Sequence, residues 1–322
     1  MELHGKSILI TGGCGFIGAN LVCMLAYKNC KIKVLDNLSA GKRENLGQND
    51  VELIVGDIRD EELIKKITQG TDVVVHLAAH TDVIKSIENP QLDFDVNVVG
   101  TFNLLKGAVS SQSVEKFIFA SSNAAVGEQI PPITEKAIPA PLSPYGASKL
   151  TCEAYCSAFA ASYGLQTVSL RFANAYGSYS THKSSVISQF ITNVLSNRPL
   201  TIYGNGYQTR DFIYVDDICR AILLSINNSN AEGIFQIGTG KETMILELAH
   251  KIKALSGNNV DIIFEPKRTG EIIRNYSGIE KATRILEFVP EIDIDTGLKM
   301  TYGWFCKDGY TDNLFQDNLQ IC

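Results

Sequence analysis

The 322-residue chain lacks any apolar run approaching the ~20 residues that a membrane helix requires, so a helical membrane span is not expected. Its eight cysteines, at positions 14, 23, 30, 152, 156, 219, 306 and 322, form neither a Cys-x-x-Cys pair nor a Cys/His cluster. They read as reduced thiols that behave mostly as small apolar residues, and no metal is expected. No basic tract offsets a net charge of −6, which argues against nucleic acid as the main partner. No internal repeat or low-complexity tract is present. The first predicted strand starts at Ser7, leaving no room for a signal peptide, so a cytoplasmic protein is expected.

What is there points to a large packed core. The apolar content is 45%, enough at this length for a main domain with a smaller second lobe. Residues 7–11, Ser-Ile-Leu-Ile-Thr, read as a buried parallel strand running into Gly12-Gly13-Cys14-Gly15-Phe16-Ile17-Gly18 and an apolar helix through Leu25. Strand, glycine turn and helix make a dinucleotide fingerprint. Gly12 permits the tight turn, Gly15 lets backbone approach a pyrophosphate, Gly18 allows close helix packing, and free amides at the helix start attract the anion. A second strand over 31–35 ends at Asp36, the expected place for a carboxylate that grips ribose hydroxyls. An acid there repels a 2′-phosphate and favours NAD, while Lys42 and Arg43 just beyond keep NADP open.

Further strands alternate with helices, as in a doubly wound parallel sheet of the Rossmann type. Strands are expected at 51–55, 73–77, 116–120 and 166–171, with helices at 61–67, capped by Asp60, and at 90–109, carrying Asn97. The fifth strand delivers Ser121 and Ser122 at its carboxyl end, where such sheets bind ligands. After Asn174 the pattern turns irregular, with a loop to Ser180, a helix around 186–197 and short segments at 200–203 and 211–215. The expected division is 1–174 for the dinucleotide domain and 175–322 for a smaller α/β substrate lobe, with segments near 211–240 able to return to the first.

Tyr145 and Lys149, in Ser-Pro-Tyr-Gly-Ala-Ser-Lys, supply the chemistry. Ser143 is a good N-cap and Pro144 suits the first helical position, so the two residues share a helix face one turn apart. An ammonium beside a phenol favours the phenolate, so Tyr145 is expected to serve as a base near neutrality. Plain alternatives exist for neighbouring residues. Ser121 and Ser122 also suit caps or turns, Arg210 can pair with Asp211, Arg268 can pair with Glu271, Cys152 and Cys156 suit helix packing, and His76 and His80 suit structural roles. His182 and Lys183 fall in an expected substrate loop, with no function assigned.

At this point the chain resembles the extended short-chain dehydrogenase/reductases that act on nucleotide-diphospho-sugars, and most closely the UDP-glucose 4-epimerase-like branch. The pieces that carry the resemblance run in a common order: 11–18, 36–41, 56–60, 76–79, 86–90, 97–101, Ser121-Ser122, Tyr145/Lys149, 171–177, 202–206, 210–217 and 268–271. The resemblance implies an NAD site made from Gly12, Gly15, Phe16, Ile17, Gly18, Asp36, Asn37, Ser39, Gly41, Asp57, Ile58, Leu77, Ala78, Ala79, Thr81, Asn97 and Phe172 together with Ser122, Tyr145 and Lys149. It implies a UDP-sugar site from Asn174, Ser185, Val186, Thr201, Tyr203, Arg210, Arg268, Glu271 and Asn275, with Ser122 and Tyr145 at the sugar.

The activity implied is C4 epimerisation through a transient 4-keto sugar, with Tyr145 as base, Ser122 on the same oxygen and Lys149 on the nicotinamide ribose. The sugar is left open among glucose/galactose, their N-acetyl forms and glucuronate/galacturonate. A 4-ketoreductase, a dehydratase or decarboxylase, and a nucleotide-binding protein without turnover are the alternatives. A homodimer is implied through the helices following Pro90 and Pro144. Two departures stand out: Val126 occupies a position usually held by tyrosine, and Asn123, Ala124 and Ala125 offer no carboxylate after the serine pair, which disfavours elimination.

Overall fold

The computed structural model describes residues 3–267 and 272–307. The first half alternates strand and helix: β1 (Ser7–Thr11), α1 (Phe16–Leu25), β2 (Lys31–Asp36), β3 (Val51–Val55), α2 (Glu61–Ile67) and β4 (Val73–His76). β1 and β4 are buried at every residue, as strands covered by helices on both faces must be. Asp60 accepts from the Leu63 N–H and starts α2, whose first turn holds Glu61 and Glu62 and whose last holds Lys65 and Lys66. Each charge sits at the end of the helix dipole that stabilises it.

Three helices follow, α3 (Val83–Glu88), α4 (Pro90–Phe94) and α5 (Gly100–Ser111). The single helix expected over 90–109 is instead two helices joined by a π-helical segment, Asp95–Val99, with Asn97 buried at its middle. The i→i+5 bonding of such a segment is common where a side chain must be re-aimed. Next come β5 (Lys116–Ser122), α6 (Pro144–Tyr163) and β6 (Gln166–Phe172). Ser143 accepts from the Gly146 N–H, and Pro144 opens α6.

Beyond β6 the elements shorten: β7 (Asn174–Tyr176), α7 (Val186–Leu195), β8 (Leu200–Tyr203), β9 (Thr209–Arg210), β10 (Phe212–Tyr214), α8 (Val215–Asn227) and β11 (Gly233–Ile237). The last described elements are β12 (Thr243–Met244), α9 (Ile245–Ser256), β13 (Ile262–Glu265), β14 (Arg274–Asn275), α10 (Glu280–Leu286) and α11 (Ile294–Lys307).

Seven strands form one parallel sheet in the order β11-β6-β5-β4-β1-β2-β3. The chain moves outward from β1 to β3, then returns to β4 on the other side of β1, so the direction reverses between β1 and β4. A crevice opens at such a reversal, beyond the carboxyl ends of the strands. β11 joins the sheet from well beyond residue 174, and α8 packs against α1. Smaller sheets pair β7 with β10, β8 with β13, and β9 with β12 and β14.

Alternation along β1 distributes the core to both faces. Ile8 and Ile10 join Val22, Ile218 and Ile222 on one side, while Leu9 joins Val74, Leu104, Cys152 and Phe159 on the other. Each fully buried aliphatic side chain contributes about 1.5–3 kcal/mol, so both faces anchor the strands that carry the site. Among the described residues, no helix is long and apolar enough to cross a membrane.

Candidate active site

A cavity of about 690 Å³ lies at the carboxyl ends of β1, β2, β4, β5 and β6. At its floor, Gly12 turns at φ +71°, and a Cβ there would come within 2.7 Å of the Ala78 backbone nitrogen. Glycine therefore lets the first turn press against the loop after β4. Gly15 caps α1 without a side-chain hydrogen bond, so the amides of the first helical turn remain available to an anion. This cradle fits the pyrophosphate of a dinucleotide.

Asp36 lines the same cavity but is only 7% exposed. Its carboxylate accepts from the Cys14 N–H at 2.9 Å and the Leu38 N–H at 2.8 Å. It thus fixes the glycine turn and still has lone pairs left for ribose hydroxyls. Asp57 is held by Arg59, whose guanidinium donates at 2.9 and 2.8 Å, and by Asn37 at 3.2 Å. The Arg59 hydrogen bond is the main reason its carboxyl is pulled down to about 2. Phe16, Ile17, Gly18, Asn37, Ser39, Gly41, Ile58, Leu77, Ala78, Ala79, Thr81 and Phe172 also line the cavity.

Asn97 does not. Its side chain accepts from the His80 N–H at 2.8 Å and donates to the His80 carbonyl at 2.9 Å. It therefore holds the loop that faces the cavity instead of facing it. A buried chain supports the same loop: Ala78 N–H donates to Thr11 Oγ1, which lies 2.7 Å from His76 Nδ1, and His76 Nε2 lies 2.9 Å from Thr101 Oγ1. Thr101 spends its own proton on the Asn97 carbonyl. His76 Nε2 must then carry hydrogen and Nδ1 must accept. Burial holds this imidazole neutral, pushed down to about 3.

At the end of β5, Ser122 Oγ accepts from the Ala124 N–H at 3.2 Å. Lys149 Nζ donates to the Ala120 carbonyl at 2.8 Å, lying 4.8 Å from the Phe119 ring centroid and 5.8 Å from that of Tyr145. Burial pushes the Tyr145 phenol up to about 12, against a hydrogen bond from Ser122 that pulls it down. Burial also lowers the Lys149 ammonium to about 8. In this structure loss of water around the phenol outweighs the hydrogen bond from Ser122, and Asp93 adds to the rise.

Beneath the pair, Arg171 donates to both carboxylate oxygens of Glu153 at 2.8 and 2.7 Å, and Ser121 Oγ donates to Glu153 Oε1 at 2.5 Å. All three are buried, tying α6 to β5 and β6. Ser121 thus spends its hydroxyl on the scaffold, although like Ser122 it also borders the cavity.

Towards the second lobe, Asn174, Ser185, Arg210 and Asn275 line the cavity. Arg210 donates to the Thr209 and Ile272 carbonyls at 2.8 Å each. Asp211 is buried and accepts from the Thr239, Gly240 and Ser277 backbones. Val186, Thr201 and Tyr203 are not at the cavity wall; Thr201 and Tyr203 sit on β8, paired with β13. Arg268 and Glu271 lie outside the described residues. Asn123, Ala124, His80, His182 and Lys183 line the cavity although sequence reasoning gave them no site role. For Asn123 and Ala124, adjacency to Ser122 was the available signal.

Val126 is fully buried and belongs to the core, not the cavity wall. Cys152 and Cys156 are buried too, Cys152 donating to the Asn97 carbonyl at 3.2 Å. No group of three or more His, Cys, Asp or Glu suited to a metal occurs among the described residues.

Residues 8–238 match the family model described as NAD dependent epimerase/dehydratase family. A protein of Methanocaldococcus jannaschii that carries the provisional name UDP-glucose 4-epimerase is 41% identical, over 94% of this chain and 100% of its own length. The UDP-glucose 4-epimerase of Thermotoga maritima, solved with UDP-glucose, superposes with a TM-score of 0.90 at 36% identity, covering 94% of this chain and 99% of that one. A dTDP-glucose 4,6-dehydratase of Streptomyces niveus is 32% identical over 92% of each chain. Likeness across almost the whole length, together with a cradle that fits a dinucleotide, places this chain in the NAD dependent epimerase/dehydratase family, with NAD as the family's cofactor.

Proposed function

We propose that the protein epimerises C4 of a UDP-sugar through a transient 4-keto intermediate. The observation that carries this reading is the end of β5: Ser122 hydrogen-bonds Tyr145 while Asn123, Ala124 and Ala125 follow without a carboxylate. Tyr145 takes the proton of the sugar 4-hydroxyl and returns it, Ser122 holds the same oxygen, and Lys149 keeps positive charge beside the phenol. Bound NAD would supply the hydride acceptor and donor. The resembled dehydratases and decarboxylases usually carry a carboxylate just after the serine or threonine, and its absence disfavours elimination. Here Asn123 instead donates to Ser277 Oγ at 3.0 Å and to Asn275 Oδ1 at 3.4 Å.

Asn174, Ser185, Arg210 and Asn275 are the residues of this chain assigned to the UDP-sugar, and support comes from their convergence on one cavity. A homodimer is part of the same proposal, supported by Leu92 and Phe94 on α4 and Tyr155 and Tyr163 on α6, all exposed; a monomeric mass by light scattering would refute it.

The test is incubation of purified protein, without added cofactor, with UDP-glucose, UDP-galactose, both UDP-N-acetylhexosamines and UDP-glucuronate, followed by NMR of the anomeric protons. A C4 epimer at constant total UDP-sugar is the expected result. In a parallel incubation with an NDP-4-keto sugar and added NAD(P)H, reduction of the ketone with consumption of the dinucleotide would establish a 4-ketoreductase instead; release of water or CO2 from the sugars above would establish a dehydratase or decarboxylase.

A further inference from the structure

The segment before α7 crosses to the loop after β4. Lys183 Nζ donates to Thr81 Oγ1 at 3.3 Å, and Ser184 Oγ donates to Asp82 Oδ2 at 3.3 Å. Asp82 is a fixed post, because its other oxygen accepts from the Ile84 and Lys85 N–H groups at the start of α3. His182 and Lys183 face the cavity from this strap. Lys183 Nζ lies 6.0 Å from the ring centroid of Phe16, the first residue of α1.

Positive charge is concentrated here with no carboxylate paired directly to it; Asp82 near Lys183, and Asp93 and Glu153 near Lys149, favour the charged ammonium only at a distance. An ammonium has three N–H donors, and the Lys183 group has one long bond to Thr81. Among the described residues, no carboxylate forms an ion pair with Lys183, Lys149 or His182. Asp36 is engaged by Cys14 and Leu38, and Asp57 by Arg59. Burial is the main reason Lys149 and His182 hold their protons less tightly than usual; the charge on Lys183 adds to the effect on His182 and, more weakly than the opposing pull of Asp93 and Glu153, on Lys149. Cations that repel one another in a low-dielectric cavity are relieved by an anion placed between them.

We propose that Lys183 is a diphosphate anchor, carried on the 181–185 strap and clasped against the 77–82 loop, which neutralises a nucleotide diphosphate bound in the cavity. It deepens the UDP-sugar reading and rests on it for the identity of the nucleotide. The chemistry is a charge-assisted hydrogen bond from an ammonium to phosphate oxygen. Two diphosphates have that chemistry, those of the sugar nucleotide and of the dinucleotide, and the experiment separates them.

Lys183→Met removes the charge from the cavity-facing strap, and Lys183→Arg keeps it. UDP and uridine binding are measured by calorimetry on the protein as purified, and NAD content is measured by absorbance after heat release. Lys183→Met is expected to weaken UDP roughly 10-fold or more while leaving uridine unchanged. Lys183→Arg is expected to stay within about threefold of wild type for UDP. Loss of NAD content in Lys183→Met with UDP affinity unchanged would place the anchor on the dinucleotide. Unchanged UDP affinity together with unchanged NAD content would overturn the anchor, as would equal weakening of UDP and uridine. Wild-type protein that binds no UDP would overturn the UDP-sugar reading, and NAD content would then decide the anchor.

Discussion

Two buried lysines, Lys116 on β5 and Lys149 on α6, make their contacts at opposite ends of β5, and they differ in what surrounds them. At the amino end of β5, Lys116 donates to the carbonyls of Ser225, Ile226 and Asn228 at 2.9, 3.3 and 2.7 Å. All three of its donors are used to close the carboxyl end of α8, where carbonyls are left without helical partners. At the other end, Lys149 donates to the Ala120 carbonyl and faces the cavity beside Tyr145. Burial lowers the proton affinity of both. Burial and a shifted ammonium therefore do not mark a reactive lysine. A donor left free beside open space does.

The largest effects should fall at the cavity end. Tyr145→Phe is expected to cut turnover by roughly 10²–10⁴-fold with NAD content unchanged; turnover within a factor of two of wild type would remove Tyr145 as the base. Lys149→Met should cost turnover on the order of 10²-fold, with no loss of stability by urea unfolding at neutral pH.

Lys116→Met should do the reverse. Three carbonyls at the end of α8 lose their donor, costing roughly 1–3 kcal/mol of stability, read by urea unfolding, while kcat stays near wild type. A Lys116 variant of full stability and low kcat would erase the contrast between the two ends.

The smallest effect concerns pH. The folded protein lowers Lys149 from 10.5 to about 8, so between those values the unfolded chain binds more protons. Stability contributed through this group therefore rises with pH across that window, and the cost of burying the ammonium is felt in full below it. The urea midpoint of wild type, relative to Lys149→Met, should increase from about pH 7.5 to about pH 9.5. A flat difference would mean that Lys149 is not shifted.

Much of the dinucleotide half was legible because its signals are local. The strands at 7–11 and 51–55 and the helix at 61–67 lie where periodicity and capping put them. Asp36 lines the cavity because it ends β2 next to the glycine turn. Other features depend on partners far away in the chain. Asn97 reaches His80 through a π segment that no local pattern announces, and Arg171 meets Glu153 and Ser121 only after three elements assemble. Thr201 and Tyr203 sit on β8, outside the cavity wall, which pairing of β8 with β13 decided.

By itself the sequence determined the alternation of buried strands and helices, the glycine turn, and the serine, tyrosine and lysine that meet at one end of β5, because strand period, helix caps and i,i+4 spacing act over a few residues. Only the tertiary structure decided which lysine faces open space, which carboxylates are already spent, and that burial raises the phenol against its hydrogen bond from Ser122. Desolvation and hydrogen-bond satisfaction depend on everything packed around a group, and that neighbourhood comes from segments distant in the chain.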